Sequence, residues 1–259
     1  MAVLPAAGRA TRLSHLPCSK EVLPVGLGNE RSVVAHRVKV VSHYILESLF
    51  FAGIKTCFVI IDPAKTDIPK YLKNNAGIDG LEIAYRSIEN SPNTPSTLDS
   101  AYPFVKNKWL ALGFPDMVLP DSRIFSRLVN QCEEGVDVLL GLFPASQPHN
   151  VDMVDVGPDG RVCNLLIKPA ETVLSKTWGI ALWSPRFSQF MHDYLSEPSS
   201  ASSSTPLSAS SSKELFVGDV IIAALQKGFN VKGVDVSELP YLDIGTVENY
   251  GQLFTTMQK

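Results

Sequence analysis

Ala2-Val-Leu-Pro-Ala-Ala-Gly-Arg-Ala-Thr-Arg-Leu-Ser-His-Leu-Pro-Cys-Ser-Lys-Glu-Val-Leu-Pro-Val25 is the stretch whose reading decides the fold. An apolar strand begins at Ala2–Leu4 and runs directly into a loop, Pro5 to Leu13. Gly8, Arg9, Thr11, Arg12 and Lys20 place one hydroxyl and three cations within thirteen positions. Backbone N–H groups exposed where a strand gives way to a loop cradle phosphate oxygens, while Arg and Lys neutralise their charge. The same residues also fit a plain solvated loop. There is no Gly-Lys-Ser/Thr and no G-x-G-x-x-G, so this is neither a Walker loop nor a dinucleotide fingerprint.

Working outward, a hairpin-like stretch runs to about Val41. Ser42 then reads as a helix N-cap, with Ile45, Leu46, Leu49 and Phe50 at helical spacing and Gly53 as the stop. Thr56–Ile61 is a β-branched run closed by Asp62-Pro63, a strand buried on both faces. A short helix at Ile68–Lys73, a strand at Leu81–Ile88, a helix at Leu98–Val105, a strand at Trp109–Gly113, a helix at Ser122–Cys132 and a strand at Val136–Phe143 follow. This alternation predicts a parallel sheet, whose ligands sit at the carboxyl ends of strands.

The second half changes character. Val151–Val156, Gly160–Ile167 and Thr177–Ser184 read as strands of an antiparallel extension, followed by a helix at Arg186–Tyr194. Trp178 and Trp183, five apart on the last of these strands, are expected on opposite faces, chiefly as core. Ser196–Ser212 holds ten serines in seventeen residues and reads as a low-complexity loop. Phe216–Lys227 is an apolar-faced helix, Val231–Val236 a strand, and Leu242-Asp-Ile-Gly-Thr246 a turn into a final helix. The expectation is one elaborated α/β domain over residues 1–259, three-layered and Rossmann-like, with a mixed, mainly parallel sheet and a small antiparallel extension.

Composition narrows the function. Lys plus Arg number 23 and Asp plus Glu 26, a net charge of −3, so neither nucleic acid nor an anionic membrane is indicated as partner. A hydrophobic share of 45% against 19% charged is that of a globular chain. The apolar runs are too short to span a bilayer, and Pro5 and Gly8 interrupt any signal-peptide core. Cys18, Cys57, Cys132 and Cys163 form no C-x-x-C pair. A soluble, cytoplasmic protein is expected. The histidines show no ligand spacing.

Two acidic residues fall at expected strand ends. Asp116 follows the strand Trp109–Gly113, and Asp243 follows Val231–Val236. A parallel sheet can bring such ends together, and two carboxylates there suit Mg²⁺, which prefers one or two carboxylates plus substrate phosphates. Each Asp would equally serve as the cap of a turn or helix.

These segments together resemble the sugar-phosphate nucleotidylyltransferases, and among them the glucose-1-phosphate thymidylyltransferase-like members. The resemblance rests on Leu4-Pro-Ala-Ala-Gly-Arg-Ala-Thr-Arg-Leu13 and Pro17-Cys-Ser-Lys-Glu-Val-Leu-Pro-Val25. Phe50-Phe-Ala-Gly-Ile54, Leu98-Asp-Ser-Ala101, Pro115-Asp116, Lys168-Pro169 and Tyr241-Leu-Asp-Ile-Gly-Thr246 follow in family order. It implies attack of a sugar-1-phosphate oxygen on the α-phosphorus of a nucleoside triphosphate, with pyrophosphate leaving. The nucleophile is already anionic, so positioning and charge stabilisation suffice without a general base.

By that resemblance Arg12 and Lys20 are the catalytic pair, Arg12 on the triphosphate and Lys20 bridging the α-phosphate and the attacking phosphate. Ala6, Ala7, Gly8, Thr11, Arg12, Pro115 and Asp116 line the nucleotide site. Asp152, Lys168 and Gly179 line the sugar-phosphate site, and Asp116 and Asp243 hold Mg²⁺. A homo-oligomer is an expectation on the same ground.

The chain departs from the pattern at several points. Ala7 and Ala10 stand where the family carries glycine, which suits phosphate only where φ is negative. Ile167 replaces the Glu of Glu-Lys-Pro, and Val151-Asp152 replaces a Tyr-Gly. Losing a hydroxyl acceptor changes substrate preference, with Asp152 as a replacement from another direction. The expected acceptor is therefore a phosphorylated sugar or sugar-like molecule other than plain glucose-1-phosphate. A cytidylyltransferase for phosphocholine, or a sensor that binds without chemistry, are the rival readings. No Gln stands where a base-reading one is usual; Glu89 and Asn90 occupy that neighbourhood.

Overall fold

The computed structural model describes residues 1–8, 13, 16–28, 32–197 and 214–256, with side chains to residue 253. The expectations placed on Ala10, Thr11 and Arg12, and on the Ser-rich stretch beyond Glu197, lie outside these residues. The described first half runs β1 (Ala2–Ala6), β2 (Pro24–Leu27), β3 (Val38–Val40), α1 (Val41–Phe51), β4 (Thr56–Ile61), α2 (Asp67–Leu72) and β5 (Glu82–Ser87). It continues through α3 (Thr94–Asp99), α4 (Tyr102–Val105), β6 (Leu110–Leu112), β7 (Met117–Val118) and α5 (Ile124–Val129). The second half is β8 (Val138–Pro144), β9 (Met153–Val156), β10 (Val162–Leu166), β11 (Lys176–Trp183) and α6 (Pro185–Ser196). Helix α7 (Val217–Gln226), β12 (Val231–Asp235), β13 (Leu242–Asp243) and α8 (Val247–Thr256) close it.

Among the described residues nine strands form one mixed sheet. Strands β5, β4, β1 and β6 are parallel neighbours, and β11 lies antiparallel to β6, β8 and β9. Strand β12 is parallel to β8, and β10 antiparallel to β9. Seven of the nine therefore point one way, with β10 and β11 reversed, which is the mixed, mainly parallel sheet and antiparallel extension expected. The reversal of β11 has a functional consequence: its amino-terminal end lies at the same edge as the carboxyl ends of β1 and β6.

Side chains alternate between two cores, as strand geometry requires. In β4, Cys57, Val59 and Ile61 join Leu4, Ile45, Leu46 and Phe125 on one face. Ile60 joins Val3, Leu112, Phe187 and Ile221 on the other. Strand β4 is thus buried on both faces, and helices cover each: three layers. A third cluster of Leu23, Val25, Val41, Ile244 and Leu253 packs β2, α1 and α8 together. Among the described residues no helix is long and apolar enough to cross a membrane.

Three local expectations are corrected. Helix α1 starts before Ser42: Val40 is its cap, and its N–H donates to His43 Nδ1 at 3.0 Å. The buried His43 ring also meets the Ala76 carbonyl at 3.1 Å, so its polar atoms serve local structure. The helix near Pro103 divides into α3 and α4, because proline is tolerated in a first turn and not in an interior. Trp178 and Trp183 lie on the same face: the β11–β8 register shifts between Trp178 and Ile180, and that slip cancels the odd spacing.

Candidate functional site

The site forms where the carboxyl ends of β1 and β6 meet the start of β11. Leu110–Leu112 is wholly buried, and the chain then emerges through Gly113, Phe114 and Pro115 to Asp116. Met117 and Val118 pair antiparallel with Asp243 and Leu242, and the Ile244 N–H donates to the Asp116 carbonyl at 2.9 Å. This two-residue ladder brings together two aspartates 127 positions apart in sequence.

Lys20 enters from the opposite side, on a single turn of 3₁₀ helix at Lys20–Val22. Its ammonium pairs with Asp116 Oδ2. Burial alone would lower its pKa, but Asp116, and behind it Asp243 and Glu21, outweigh that cost and raise it. Lys20 is therefore a fixed cation at neutral pH. Glu21 is almost fully buried; its Oε1 accepts from Lys65 Nζ at 2.7 Å, while Oε2 has no hydrogen-bond partner among the described residues. Burial raises the Glu21 pKa, against the pull of Lys65.

Two cavities meet at Asp116. One, of about 230 Å³, is lined by Ala7, Gly8, Lys20, Glu21, Thr94 and Asp116, among others. Ala7 is absent from the left-handed backbone residues, so its methyl carries no strain there. Among the described residues, nothing lies within 4 Å of where a Cβ on Gly8 would sit. Ala6, by contrast, points into the core, and Pro115 is buried without lining either cavity.

The second cavity, of about 450 Å³, is lined by Asp116, Asp152, Lys168, Gly179 and Asp243 together with Phe114, Trp178, Phe216 and Tyr241. Asp152 is raised to about 6 by burial, partly offset by the Lys168 ammonium and the Trp178 indole, with Asp219 adding repulsion. Lys168 holds a left-handed φ of 42° and places its ammonium 3.8 Å from the centre of the Phe216 ring. Ile167 and Asp152 both reach the start of α7: a Cβ on Gly218 would lie 2.4 Å from Ile167 Cδ1 and 2.6 Å from Asp152 Oδ2. Of the two, Asp152 lines the cavity and Ile167 does not.

Of the residues singled out from sequence, Ala7, Gly8, Lys20, Asp116, Asp152, Lys168, Gly179 and Asp243 converge on these joined cavities. Sequence reasoning missed Glu21, Thr94, Phe114, Phe216 and Tyr241. Glu21 and Tyr241 stand inside the quoted motifs, so adjacency to Lys20 and Asp243 was the available signal. Among the described residues no group of three or more His, Cys, Asp or Glu is placed to hold a metal. The pair Asp116 and Asp243 still fits Mg²⁺. Both carboxylates line the cavity, are hard oxygen donors, and leave remaining positions for phosphate oxygens.

No protein-family model matches the chain, and no curated sequence matches it significantly. Solved structures do. One, bearing the name of a glucose-1-phosphate thymidylyltransferase from Bacillus anthracis in complex with sucrose, superposes with a TM-score of 0.77 at 18% identity. The match covers 100% of this chain and 95% of that one. A UDP-glucose pyrophosphorylase complexed with UDP-glucose superposes at 0.75 with 14% identity, covering 99% and 97%. The fold is that of the sugar-phosphate nucleotidylyltransferases.

Proposed function

We propose that the protein is a Mg²⁺-dependent nucleotidylyltransferase. It transfers a nucleoside monophosphate from a nucleoside triphosphate to a sugar-1-phosphate or sugar-like phosphate and releases pyrophosphate. One observation carries the reading: the paired Lys20 and Asp116 stand at the junction of the two cavities, with Asp243 alongside. The smaller cavity, at the Gly8 loop, takes the triphosphate. The larger, with Asp152 and Lys168, takes the acceptor. The α-phosphorus and the attacking oxygen then meet beside Lys20.

Both reactants are anionic, so the principal barrier that these side chains lower is repulsion between phosphates. Lys20 brings the two together, and Lys168 grips the acceptor phosphate. Asp116 and Asp243 hold Mg²⁺, which supplies further neutralisation of phosphate charge. The acceptor phosphate needs no proton removed, and no residue is assigned as base. Because Asp152 lines the cavity and Ile167 does not, Asp152 is the acceptor-site carboxylate, and the substrate is one other than plain glucose-1-phosphate.

A second acceptor, phosphocholine, is favoured by one observation: the four aromatic side chains of the larger cavity include Phe216, whose ring already faces an ammonium. Pyrophosphate release with Mg²⁺, crossing the common nucleoside triphosphates with phosphorylated sugars, cyclitols and phosphocholine, tests all of this. Release that requires one particular pair is the expected result and names both substrates. Comparable release with glucose-1-phosphate and every alternative sinks the acceptor assignment. No release with any pair, while nucleotide binds in a parallel titration, replaces the enzyme with a sensor.

A further inference from the structure

Lys20 is flanked by two grips from one short loop. On one side Ser19 donates twice to Asp67, its backbone N–H to Oδ2 at 2.5 Å and its hydroxyl to Oδ1 at 2.7 Å. On the other, Lys65 Nζ donates to Glu21 Oε1 at 2.7 Å, in a pair whose side chains are 11% and 2% exposed. Lys65 lies between β4 and α2, and Asp67, two residues on, is the first residue of α2. That loop is itself closed by Asp62, whose carbonyl takes the Lys65 N–H at 2.9 Å and whose Oδ1 takes the Ala64 N–H at 2.9 Å. Asp67 begins α2 beside Ile68, which is wholly buried. The gripping loop is thus anchored to the sheet at one end and to the core at the other.

Between the grips lies only the 3₁₀ turn, with Val22 N–H on the Ser19 carbonyl at 3.0 Å and Leu23 N–H on the Lys20 carbonyl at 3.3 Å. A lysine side chain has four rotatable bonds, so where its ammonium rests depends on how firmly its backbone is held. Lys65 has an electrostatic effect as well. It neutralises Glu21, which is next to Lys20 and would otherwise compete with Asp116 for the ammonium. Neither Lys65 nor Asp67 lines either of the two cavities that meet at Asp116.

We propose that Lys65 and Asp67 are positioning residues that fix the turn carrying Lys20 from both sides and so set the geometry of phosphate transfer. The proposal rests on the transferase reading for its effect on turnover, but not for its effect on the turn.

The test is a pair of double-mutant cycles, Asp67→Asn and Lys65→Met each in the native and the Lys20→Gln background, with pyrophosphate release as readout. In the native background turnover should fall about tenfold, since displacements near 1 Å can cost more than that. Nucleotide KM should stay within about twofold. In the Lys20→Gln background neither substitution should cost anything further, because the residue they position is gone. Equal losses in both backgrounds would mean a general structural role and overturn the proposal, as would unchanged turnover in the native one.

Deuterium exchange over residues 19–23 supplies the second arm, run on Asp67→Asn, which keeps a neutral side chain of the same shape should Lys65→Met not fold. The Ser19 amide should exchange faster; unchanged exchange rejects the clamp. This arm also separates the two ideas. If the unmodified protein turns over no pair, the transferase reading falls, while faster exchange still supports the clamp.

Discussion

Asp152 illustrates how a single side chain sets both pH response and stability. Burial lifts its pKa from 3.8 to about 6, with Lys168 pulling the other way. Between those two values the folded protein holds a proton that the unfolded chain has released, so stability falls as pH rises through that window and then levels off. Asp152→Asn removes the penalty. Thermal melts should show the variant above the native protein at pH 7.5, and the difference vanishing below about pH 4. Function runs in the opposite direction. If the ionised carboxylate accepts a hydroxyl of the acceptor, acceptor KM for the native protein should rise about tenfold as pH falls through 6. The Asn variant should show a flat profile, and identical profiles in the two proteins would remove Asp152 from acceptor binding.

The strand β11 shows why spacing alone misplaces side chains. Most elements are legible from apolar periodicity, and β4 is read correctly as a strand buried twice because five of its six residues are apolar. The register slip at Gly179 has no such signature. It turns Trp178 to the face of Trp183, and from there Trp178 also lines the larger cavity. Gly179 permits the arrangement by its size. A Cβ there would lie 2.7 Å from Met117 Cε, 2.8 Å from Tyr241 Cε1 and 3.0 Å from Tyr241 Cδ1. The methionine tip can move, but the Tyr241 ring is held edge-on against Phe143 at 5.1 Å, and it precedes Asp243 by two residues. Gly179→Ala should therefore cost about 1–3 kcal/mol of stability by overpacking. It should also lower turnover through the displaced Tyr241–Asp243 segment. Denaturant unfolding measures the first effect and pyrophosphate release the second; a variant as stable and active as the native protein would show that the ring yields freely.

At the scale of the molecule, the site exists because three distant segments are tied at one point. The motif around Lys20 and the aspartates at 116 and 243 were all legible as charged residues in loops or at strand ends. Their convergence was legible only in outline, since a parallel sheet gathers its strand ends but does not say which ends touch. What decides it is the β7–β13 ladder and the apolar cluster in which Leu23, three residues from Lys20, and Ile244, next to Asp243, both lie buried. Neither has a sequence signal, because a two-residue ladder is too short to show a period and the cluster draws on residues more than 200 positions apart. The ladder also gives Asp243 a backbone role that a substitution of its side chain leaves in place. Asp243 takes part in the fold through its backbone, pairing with Met117 and offering its carbonyl to Asn249 Nδ2 at 2.8 Å, while its exposed carboxylate faces the cavity. Asp243→Ala keeps every one of those backbone links. The variant should therefore keep the fold, which a cooperative thermal melt checks. Turnover should fall about a hundredfold, the scale of losing one electrostatic stabiliser of a transition state. Asp116→Ala should match it in turnover but also lose stability, because it strips Lys20 of its ion pair inside a partly buried site. Turnover that survives in Asp243→Ala would take that carboxylate, and Mg²⁺ binding with it, out of the mechanism.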